Sequence, residues 1–166
     1  MIQGWHDVMT LASLVEKETP EAAERPVVAG VFARRLALGM ALQCDPTIVY
    51  AAELEDRPSG PITQTDLQLD SPYNTYRHAG LPPGPIANPG EASIRASLHP
   101  AGGDALYFVA NNQGGHVFAR TLAEHQRNVS RYRREVVAAQ HKAAETAGKN
   151  PKSGPGRPRK NSPVLR

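Results

Sequence analysis

Residues 11–20 read LASLVEKETP, a stretch that predicts an amphipathic helix ending at a proline. At about 100° per residue, one apolar stripe of this helix collects Val8, Leu11, Ala12 and Val15. Glu18 follows Val15 by three residues and lies at the edge of that stripe. We therefore expect a carboxylate on or near the buried side of the helix, at its last turn.

The same turn contains two glutamates, and they point in different directions. Glu16 lies about 200° from Glu18 around the helix axis, so the two carboxylates cannot face one pocket. Glu18 is the one nearer the apolar side, where partial burial raises the pKa of a carboxyl toward neutrality and suits it to act as a general acid. The alternative is that both are solvated surface acids, as most helical glutamates are.

The composition bounds the class of protein. A chain of 166 residues is long enough for one domain with a core, and its 15 prolines and 14 glycines predict long loops. The single cysteine, Cys44, excludes an internal disulfide but does not indicate a compartment. The first residues lack a basic flank and a hydrophobic signal core, and no apolar run approaches a membrane span. We therefore expect no export signal and no membrane segment.

The positive charge of the chain is concentrated at its C-terminal end. Residues 141–166 contain seven Lys or Arg and one acid, a net charge of +6, whereas the other 140 residues have a net charge of −3. The tail is rich in Pro and Gly and almost lacks apolar side chains. We expect a folded catalytic domain over residues 1–140 and a basic, disordered tail over residues 141–166.

Periodicity along residues 1–140 predicts a single α+β domain that is mostly helical, with one β-hairpin. Thr19 is expected to be the N-cap of the second helix, with Pro20 at the first helical position and Gly39 just past the end. Asp45 and Pro46 open a short third helix, and Thr121 caps the last one. Further predictions are helices over 5–18 and 90–98, strands over 106–110 and 116–119, and an ordered loop over 54–90 that lines a cleft.

Four segments of the chain together resemble one known family. They are EKET at 16–19, LQCDPT at 42–47, SPYNTY at 71–76 running into GLPPGPI at 80–86, and LYFV at 106–109 with GGHVF at 114–118. In order, spacing and residue type, they are similar to the endolytic murein transglycosylases, the YceG-like family, over about residues 9–135.

The resemblance implies a lyase that acts on bacterial peptidoglycan. Members of the family cut glycan strands between N-acetylmuramic acid and N-acetylglucosamine and leave a 1,6-anhydromuramic end. The catalytic glutamate of the family precedes a small hydroxyl residue, which here makes it Glu18 before Thr19. One acid suffices, because the C6 hydroxyl of the substrate attacks the anomeric carbon and the carboxylate takes its proton. No metal or cofactor is expected, and Glu18→Gln is expected to fold with unchanged thermal stability but to form no anhydro products.

Side chains suited to sugar amides and hydroxyls occur within the same motifs. The predicted substrate-binding residues are Gln43, Asp45, Tyr73, Asn74, Thr75, Tyr76 and His116. Each has a structural alternative: Asp45 as a helix N-cap, Asn74 and Thr75 in bonds to their own backbone, and the tyrosines packing the loop onto the core. His116 is not expected to bind a metal, since no second His or Cys stands at ligand spacing.

The chain departs from the family pattern in two places. Cys44 stands where a small hydroxyl residue is expected. Family members also have a membrane anchor and a small domain before the catalytic region, whereas here Met1 nearly begins the first helix. A fragment, a displaced start and a truncated paralogue are the three alternatives. The resemblance implies action at the outer face of the inner membrane and contact with cell-wall synthases. Because we expect neither an anchor nor an export signal in this sequence, it does not predict a location.

Two other functions compete with this hypothesis. Sequences of this kind have also been labelled aminodeoxychorismate lyase, a pyridoxal-phosphate enzyme, yet the folded body contains only Lys17 to form a Schiff base and has no obvious phosphate-binding glycine loop. The segment at 155–160, PGRPRK, resembles the core of minor-groove AT-hook peptides and suggests nucleic-acid binding. Basic Pro/Gly-rich tails are common, and we do not expect nucleic acid to be the partner.

Overall fold

The computed structural model of the chain describes residues 2–57 and 60–148. This part contains five α-helices, one 3-10 helix and a two-stranded antiparallel sheet, in agreement with the predicted α+β class. In chain order the elements are α1 (Trp5–Glu18), α2 (Arg25–Ala37), α3 (Asp45–Leu54), the 3-10 helix (Asp66–Gln68), α4 (Glu91–Leu98), β1 (Tyr107–Ala110), β2 (His116–Ala119) and α5 (Leu122–Gly148).

Helix α1 is the centre of the domain, with the bounds that the periodicity predicts. It packs against α2, α3 and α4, and the predicted stripe is buried. Burial extends beyond that stripe to Leu14, Thr10 and Ser13, because neighbours cover α1 on several sides. The polar groups on these sides are satisfied, as when the Ser13 hydroxyl accepts a hydrogen bond from the backbone N–H of Ile86 at 3.0 Å.

The hairpin and α5 form the other side of the molecule. The two strands pair with Phe108 opposite Phe118, and both rings pack against the main core cluster, where Phe108 meets Phe32 of α2 edge-on. Helix α5 packs on both strands. It begins as predicted, since the Thr121 hydroxyl accepts the N–H of Glu124 while the Glu124 carboxylate accepts the N–H of Thr121.

The predicted start of the second helix is wrong. Helix α2 begins at Arg25 with Glu24 as its N-cap, and Thr19 is instead the C-cap of α1. The Thr19 hydroxyl accepts the N–H of Glu21 at 3.1 Å and bonds Glu24 at 3.3 Å, so it stabilises the turn between the helices. The predicted end is confirmed, because Gly39 has a φ of +67° just after the helix.

The helix predicted after Asp45 forms, but Asp45 is not its N-cap. That position belongs to Cys44, and Asp45 is the first helical residue with Pro46 next. The Asp45 carboxylate accepts a hydrogen bond from the Tyr76 hydroxyl, and no side chain caps the start of α3.

The described part of the 54–90 loop is tied to the body by buried side chains. Leu69 packs with Ile48 and Ala51 of α3 in a second core cluster. Asn74 is fully buried and donates hydrogen bonds to the carbonyl oxygens of Leu67 and Leu69, at 3.1 and 2.9 Å. The loop therefore has a structural anchor of its own, although only Tyr76 among its side chains reaches the cleft described below.

Helix α5 continues into the segment that the sequence assigned to the C-terminal tail. Helix α5 passes through residue 140, the domain boundary predicted from the sequence, and ends at Gly148. The Pro/Gly-rich segment, with its PGRPRK motif, lies outside the described residues. In the part of the chain that the structure describes, no helix combines the length and apolar character needed to cross a bilayer.

Gly30 provides a test of the packing between α2 and the segment after α4. A Cβ atom at this position would lie 2.4 Å from the carbonyl oxygen of Ala101. Because that oxygen belongs to the backbone, we expect Gly30→Ala to lower the free energy of unfolding by about 2 kcal/mol, despite the higher helix propensity of alanine. Urea denaturation measures the loss.

Gly102→Ala is the matched control for that variant. Nothing lies within 4 Å of its Cβ position and its backbone is not in the left-handed region, so stability should hardly change. Equal stability of the Gly30→Ala and Gly102→Ala proteins would contradict the close approach.

Candidate active site

A cleft of about 460 Å³ opens where the end of α1, the turn before α3, the hairpin and the start of α5 meet. Its volume is typical of a small-molecule site. Five of the residues predicted from the sequence line it: Glu18, Gln43, Asp45, Tyr76 and His116. Further lining comes from Arg35, Leu42, Tyr107, Phe108, Val109, Ala110, Leu122 and His125.

Glu18 has the properties of a general acid. Burial is the main influence and raises the pKa of its carboxyl from 4.5 to about 7. The charge of Asp45 raises that pKa further, whereas a hydrogen bond from the Cys44 thiol and the positive charge of Arg35 lower it. Glu18 is also the last residue of α1, and the negative end of a helix dipole disfavours a carboxylate. The group is therefore partly protonated at neutral pH.

The side chain of Cys44 is hydrogen-bonded to Glu18 and is fully buried. Burial, together with the neighbouring Glu18 carboxyl, raises the pKa of its thiol well above the ordinary value, so the thiol stays protonated. The backbone N–H of Cys44 is satisfied by the Thr75 hydroxyl at 3.0 Å. A neutral thiol in this position is a weak hydrogen-bond donor toward Glu18.

Asp45 and Tyr76 form a hydrogen-bonded pair at the rim of the cleft. The Tyr76 hydroxyl donates to the Asp45 carboxylate. Burial, followed by this hydrogen bond and the negative charge of Asp45, raises the pKa of Tyr76 above its ordinary range. Tyr76 thus remains a neutral hydroxyl beside an exposed carboxylate, and both present polar atoms to the cleft.

Gln43 reaches the cleft through an unusual backbone. Its φ is +50°, in the left-handed region that few side chains other than Asn and Asp adopt. The backbone N–H of Gln43 donates to the carbonyl oxygen of Thr75 at 3.1 Å, which holds the turn in place. Strain of this kind is concentrated at functional sites in folded proteins.

Three of the predicted binding residues do not line the cleft. The Asn74 amide is hydrogen-bonded to backbone atoms, and its oxygen accepts the N–H of Tyr76 at 3.0 Å. The buried Thr75 hydroxyl is hydrogen-bonded to the Thr47 hydroxyl at 2.9 Å. Tyr73 packs edge-on against Tyr50, with ring centroids 4.8 Å apart. The hydrogen bonds of Asn74 and Thr75 thus lie within the turn that contains Tyr76 and contacts Gln43, while Tyr73 packs in the core.

Glu16 is bound to other parts of the fold, away from the cleft. Its carboxylate accepts hydrogen bonds from the N–H of Gly90 at 2.9 Å and the Ser93 hydroxyl at 2.8 Å, and it pairs with Arg25 at 3.1 Å. The bond to Gly90 is the largest influence that lowers its pKa. Glu16 therefore joins α1 to the start of α4 as an ionised group, and the two glutamates of the motif have opposite protonation behaviour.

The residues that line the cleft lie within a segment that matches a known protein family. The profile of the YceG-like family matches residues 2–131, which include every residue that lines it. The chain belongs to the YceG-like family. It is 48% identical over 128 residues to a Bacillus subtilis protein and 39% identical over 130 residues to a Streptococcus pneumoniae protein, both named endolytic murein transglycosylase. The matches cover 76% of this chain and only 34% and 24% of those relatives.

A solved structure shares the fold. A crystal structure at 2.6 Å of a YceG-like protein from Listeria monocytogenes matches with a TM-score of 0.68 and 46% identity, covering 74% of this chain and 39% of that one. This YceG-like domain thus spans about a quarter to two fifths of the length of the relatives that it matches.

One end of the cleft is cationic and aromatic, and its residues were not predicted from the sequence. Arg35 of α2 is only 7% exposed and donates to the carbonyl oxygens of Leu106 and Leu42, at 2.7 and 2.8 Å. Its guanidinium also lies 5.2 Å from the centroid of the Tyr107 ring, which stacks on His125. A buried arginine inside an apolar helix could have been noticed, but its partners lie too far along the chain to be inferred.

The described residues contain no cluster of side chains suited to bind a metal ion. Among residues 2–57 and 60–148, no three His, Cys, Asp or Glu side chains converge as a metal ion would require. Lys17, the lysine that a pyridoxal-phosphate enzyme would need here, is exposed and does not line the cleft.

Proposed function

We propose that this domain is a lytic transglycosylase that cleaves the bond between N-acetylmuramic acid and N-acetylglucosamine within peptidoglycan strands. The observation that carries the proposal is the Glu18 carboxyl, held near neutral pKa by burial at an open cleft rich in polar groups. The names of the relatives, endolytic murein transglycosylase, supply the substrate class.

The reaction needs one proton donor and no water. Glu18 gives its proton to the bridging oxygen, the bond from that oxygen to the anomeric carbon of the muramic acid breaks, and an oxocarbenium-like sugar forms. The C6 hydroxyl of the same sugar then bonds to the anomeric carbon and releases its proton. The products are a strand that begins with N-acetylglucosamine and a 1,6-anhydromuramic end.

Hydrolysis is the competing outcome. Hydrolytic glycosidases use a second carboxylate as nucleophile or base, and Asp45 is the other carboxylate that lines the cleft. Its oxygen already accepts a hydrogen bond from Tyr76, which lowers its nucleophilicity. We propose that Asp45, with Gln43 and Tyr76, binds sugar amides and hydroxyls. Contact with cell-wall synthases stays a prediction of the family resemblance.

Digestion of purified sacculi tests the proposal. The expected products are muropeptides with 1,6-anhydro ends, each lighter by one water than the corresponding reducing muropeptide. Reducing ends in their place would assign the domain to the hydrolases, and the absence of any release would remove the proposed function. Mass spectrometry of the released products distinguishes anhydro ends from reducing ends.

The pH dependence of kcat/KM is a further prediction. Only the protonated form of Glu18 can act as the acid, and its pKa is about 7. We therefore expect kcat/KM to fall about tenfold per pH unit as the pH rises above about 7. The pH at which this decrease begins reports the pKa of Glu18 in the free enzyme. A limb that begins near pH 5 would indicate an ordinary solvated carboxyl and contradict the assignment.

A further inference from the structure

His116 is held in the cleft by a carboxylate that is remote in the sequence. The ring Nδ1 lies 2.8 Å from Oε2 of Glu24, and the other oxygen of Glu24 accepts the backbone N–H of His116, also at 2.8 Å. The Thr19 hydroxyl bonds the same carboxylate at 3.3 Å. Glu24 thus holds both the ring and the backbone of one histidine.

These bonds determine which ring nitrogen has the proton. Burial alone would raise the pKa of Glu24, but the hydrogen bonds from the ring and backbone of His116 outweigh it, so that pKa is lowered and Glu24 is ionised. An ionised carboxylate only accepts hydrogen bonds, so Nδ1 of His116 is the donor. When the imidazole is neutral, its lone pair is therefore on Nε2.

The free nitrogen of His116 is available to a ligand. His116 lines the cleft whereas Glu24 does not. Among the described residues Nε2 has no hydrogen-bond partner and is not among the buried polar atoms that lack one, so it is an accessible atom of a side chain that lines the cleft. Phe108 packs edge-on against the imidazole, with ring centroids 5.3 Å apart, and limits its rotation.

Gly115 lies in close contact with the Glu24 carboxylate that bonds His116. A Cβ atom at this position would lie 2.5 Å from Oε1 of Glu24. The glycine before His116 thus leaves room for the carboxylate beneath the hairpin turn. The resulting arrangement, a carboxylate bonded to Nδ1 of an imidazole whose Nε2 faces a cleft, is the one that serves base catalysis in unrelated enzymes.

We propose that His116 is the catalytic base that accepts the proton of the C6 hydroxyl during ring closure. This inference rests on the proposed function. As the oxygen of the C6 hydroxyl bonds to the anomeric carbon, its proton passes to Nε2, while Glu18 gives its own proton to the departing oxygen. His116 ends as an imidazolium beside the Glu24 carboxylate, and Glu18 ends ionised. Proton transfer through solvent from His116 to Glu18 restores both groups.

The division of roles follows from the charges at the two groups. Burial favours the neutral acid form of Glu18, while Glu24 stabilises the positive charge that His116 acquires. The family resemblance implied instead that the Glu18 carboxylate takes the proton of the C6 hydroxyl. Glu24 is then a positioning residue, since it acts through His116.

The test compares two substrates that differ in their leaving group. One is the natural glycan strand, and the other is an N-acetylmuramoyl aryl glycoside whose nitrophenolate leaves without protonation. On both substrates His116→Ala should lower kcat by about 10²–10³-fold, since the C6 hydroxyl must lose its proton in either case. Glu18→Gln should lower kcat strongly on the glycan and much less on the aryl glycoside.

Added imidazole distinguishes a missing base from a disturbed fold. It should restore part of the activity of His116→Ala and leave His78→Ala, a matched change at an exposed histidine, unaffected. If His116→Ala does not fold, Glu24→Gln keeps the shape of the pair and should lower kcat about tenfold or more with KM nearly unchanged.

The outcomes separate the two proposals. Anhydro products from His116→Ala at an undiminished kcat, or a change confined to KM, would overturn the role of His116 while the proposed function stands. Failure of the unmodified protein to form anhydro ends on either substrate would overturn both.

Discussion

Glu18→Gln is expected to abolish glycan cleavage by the folded domain. The amide cannot donate a proton to the bridging oxygen at a useful rate, and loss of a general acid typically costs about 10²–10⁴-fold in rate. Release of anhydro-muropeptides from sacculi measures the loss. Glu16→Gln is the matched control two residues away, because Glu16 binds Gly90 and Ser93 outside the cleft.

The same substitution should also stabilise the protein at alkaline pH. Since the pKa of Glu18 is about 7 in the fold and 4.5 ordinarily, the folded state binds more protons than the unfolded state between these values. Stability therefore falls as the pH rises from about 4.5 to about 7, by about 3 kcal/mol in all, and stays reduced above that range. Glutamine does not ionise and avoids this loss.

Denaturation of both proteins at two pH values measures the effect. Glu18→Gln should exceed the parent protein in unfolding free energy by about 3 kcal/mol more at pH 8 than at pH 4. This result would correct the expectation of unchanged thermal stability drawn from the sequence, and it would be the trade-off between stability and activity that a buried catalytic acid imposes. A difference that does not depend on pH would mean that Glu18 is solvated. Full activity of Glu18→Gln combined with an inactive Glu16→Gln would show that the acid is the other glutamate.

Arg35→Met is expected to cause the largest loss of stability. The guanidinium of Arg35 bonds the carbonyl oxygens of Leu106, Leu42 and Ala41, and it thereby joins α2 to the segments on both sides of the cleft. Methionine fills much of the same volume but leaves these carbonyls without their charged donor. The expected loss is about 3 kcal/mol or more in the free energy of unfolding, measured by urea denaturation.

Arg95→Met is the control for that measurement. Arg95 is also helical, but it is exposed and pairs with the exposed Glu91, four residues before it. Such pairs contribute less than about 1 kcal/mol, so this variant should unfold almost as the parent does. Similar stabilities for Arg35→Met and Arg95→Met would contradict the structural role assigned to the buried guanidinium.

The elements best predicted from the sequence are those whose signals are local. Helix α1 has the predicted bounds because the apolar period and its interruption at Pro20 lie within one segment. The start of α2 was mistaken because Thr19 and Pro20 form a plausible cap, and the competing candidates, Glu24 and Pro26, lie only a few residues later. Which residue becomes the N-cap depends on the direction in which the chain enters the helix, and a short segment of sequence does not determine that direction.

The candidate site divides in the same way. Glu18 could be selected from helix geometry, and Gln43, Asp45, Tyr76 and His116 from the family motifs, and all five line the cleft. Asn74 and Thr75 could not be told apart from ligands, since a polar side chain in a turn-rich segment is equally suited to bond its own backbone. Their buried hydrogen bonds became visible only with the loop in place.

The amino-acid order alone determined a mostly helical α+β domain, an acid at the end of α1, and membership of one family, because periodicity, spacing and motif identity are properties of short segments. Tertiary structure decided the protonation of that acid and the pairing of Glu24 with His116, 92 residues away. It also decided that Arg35 donates across the fold to Leu106, 71 residues away. A pKa depends on the solvent excluded by every neighbouring segment, and a hydrogen bond depends on the distance between atoms that only the folded chain brings together.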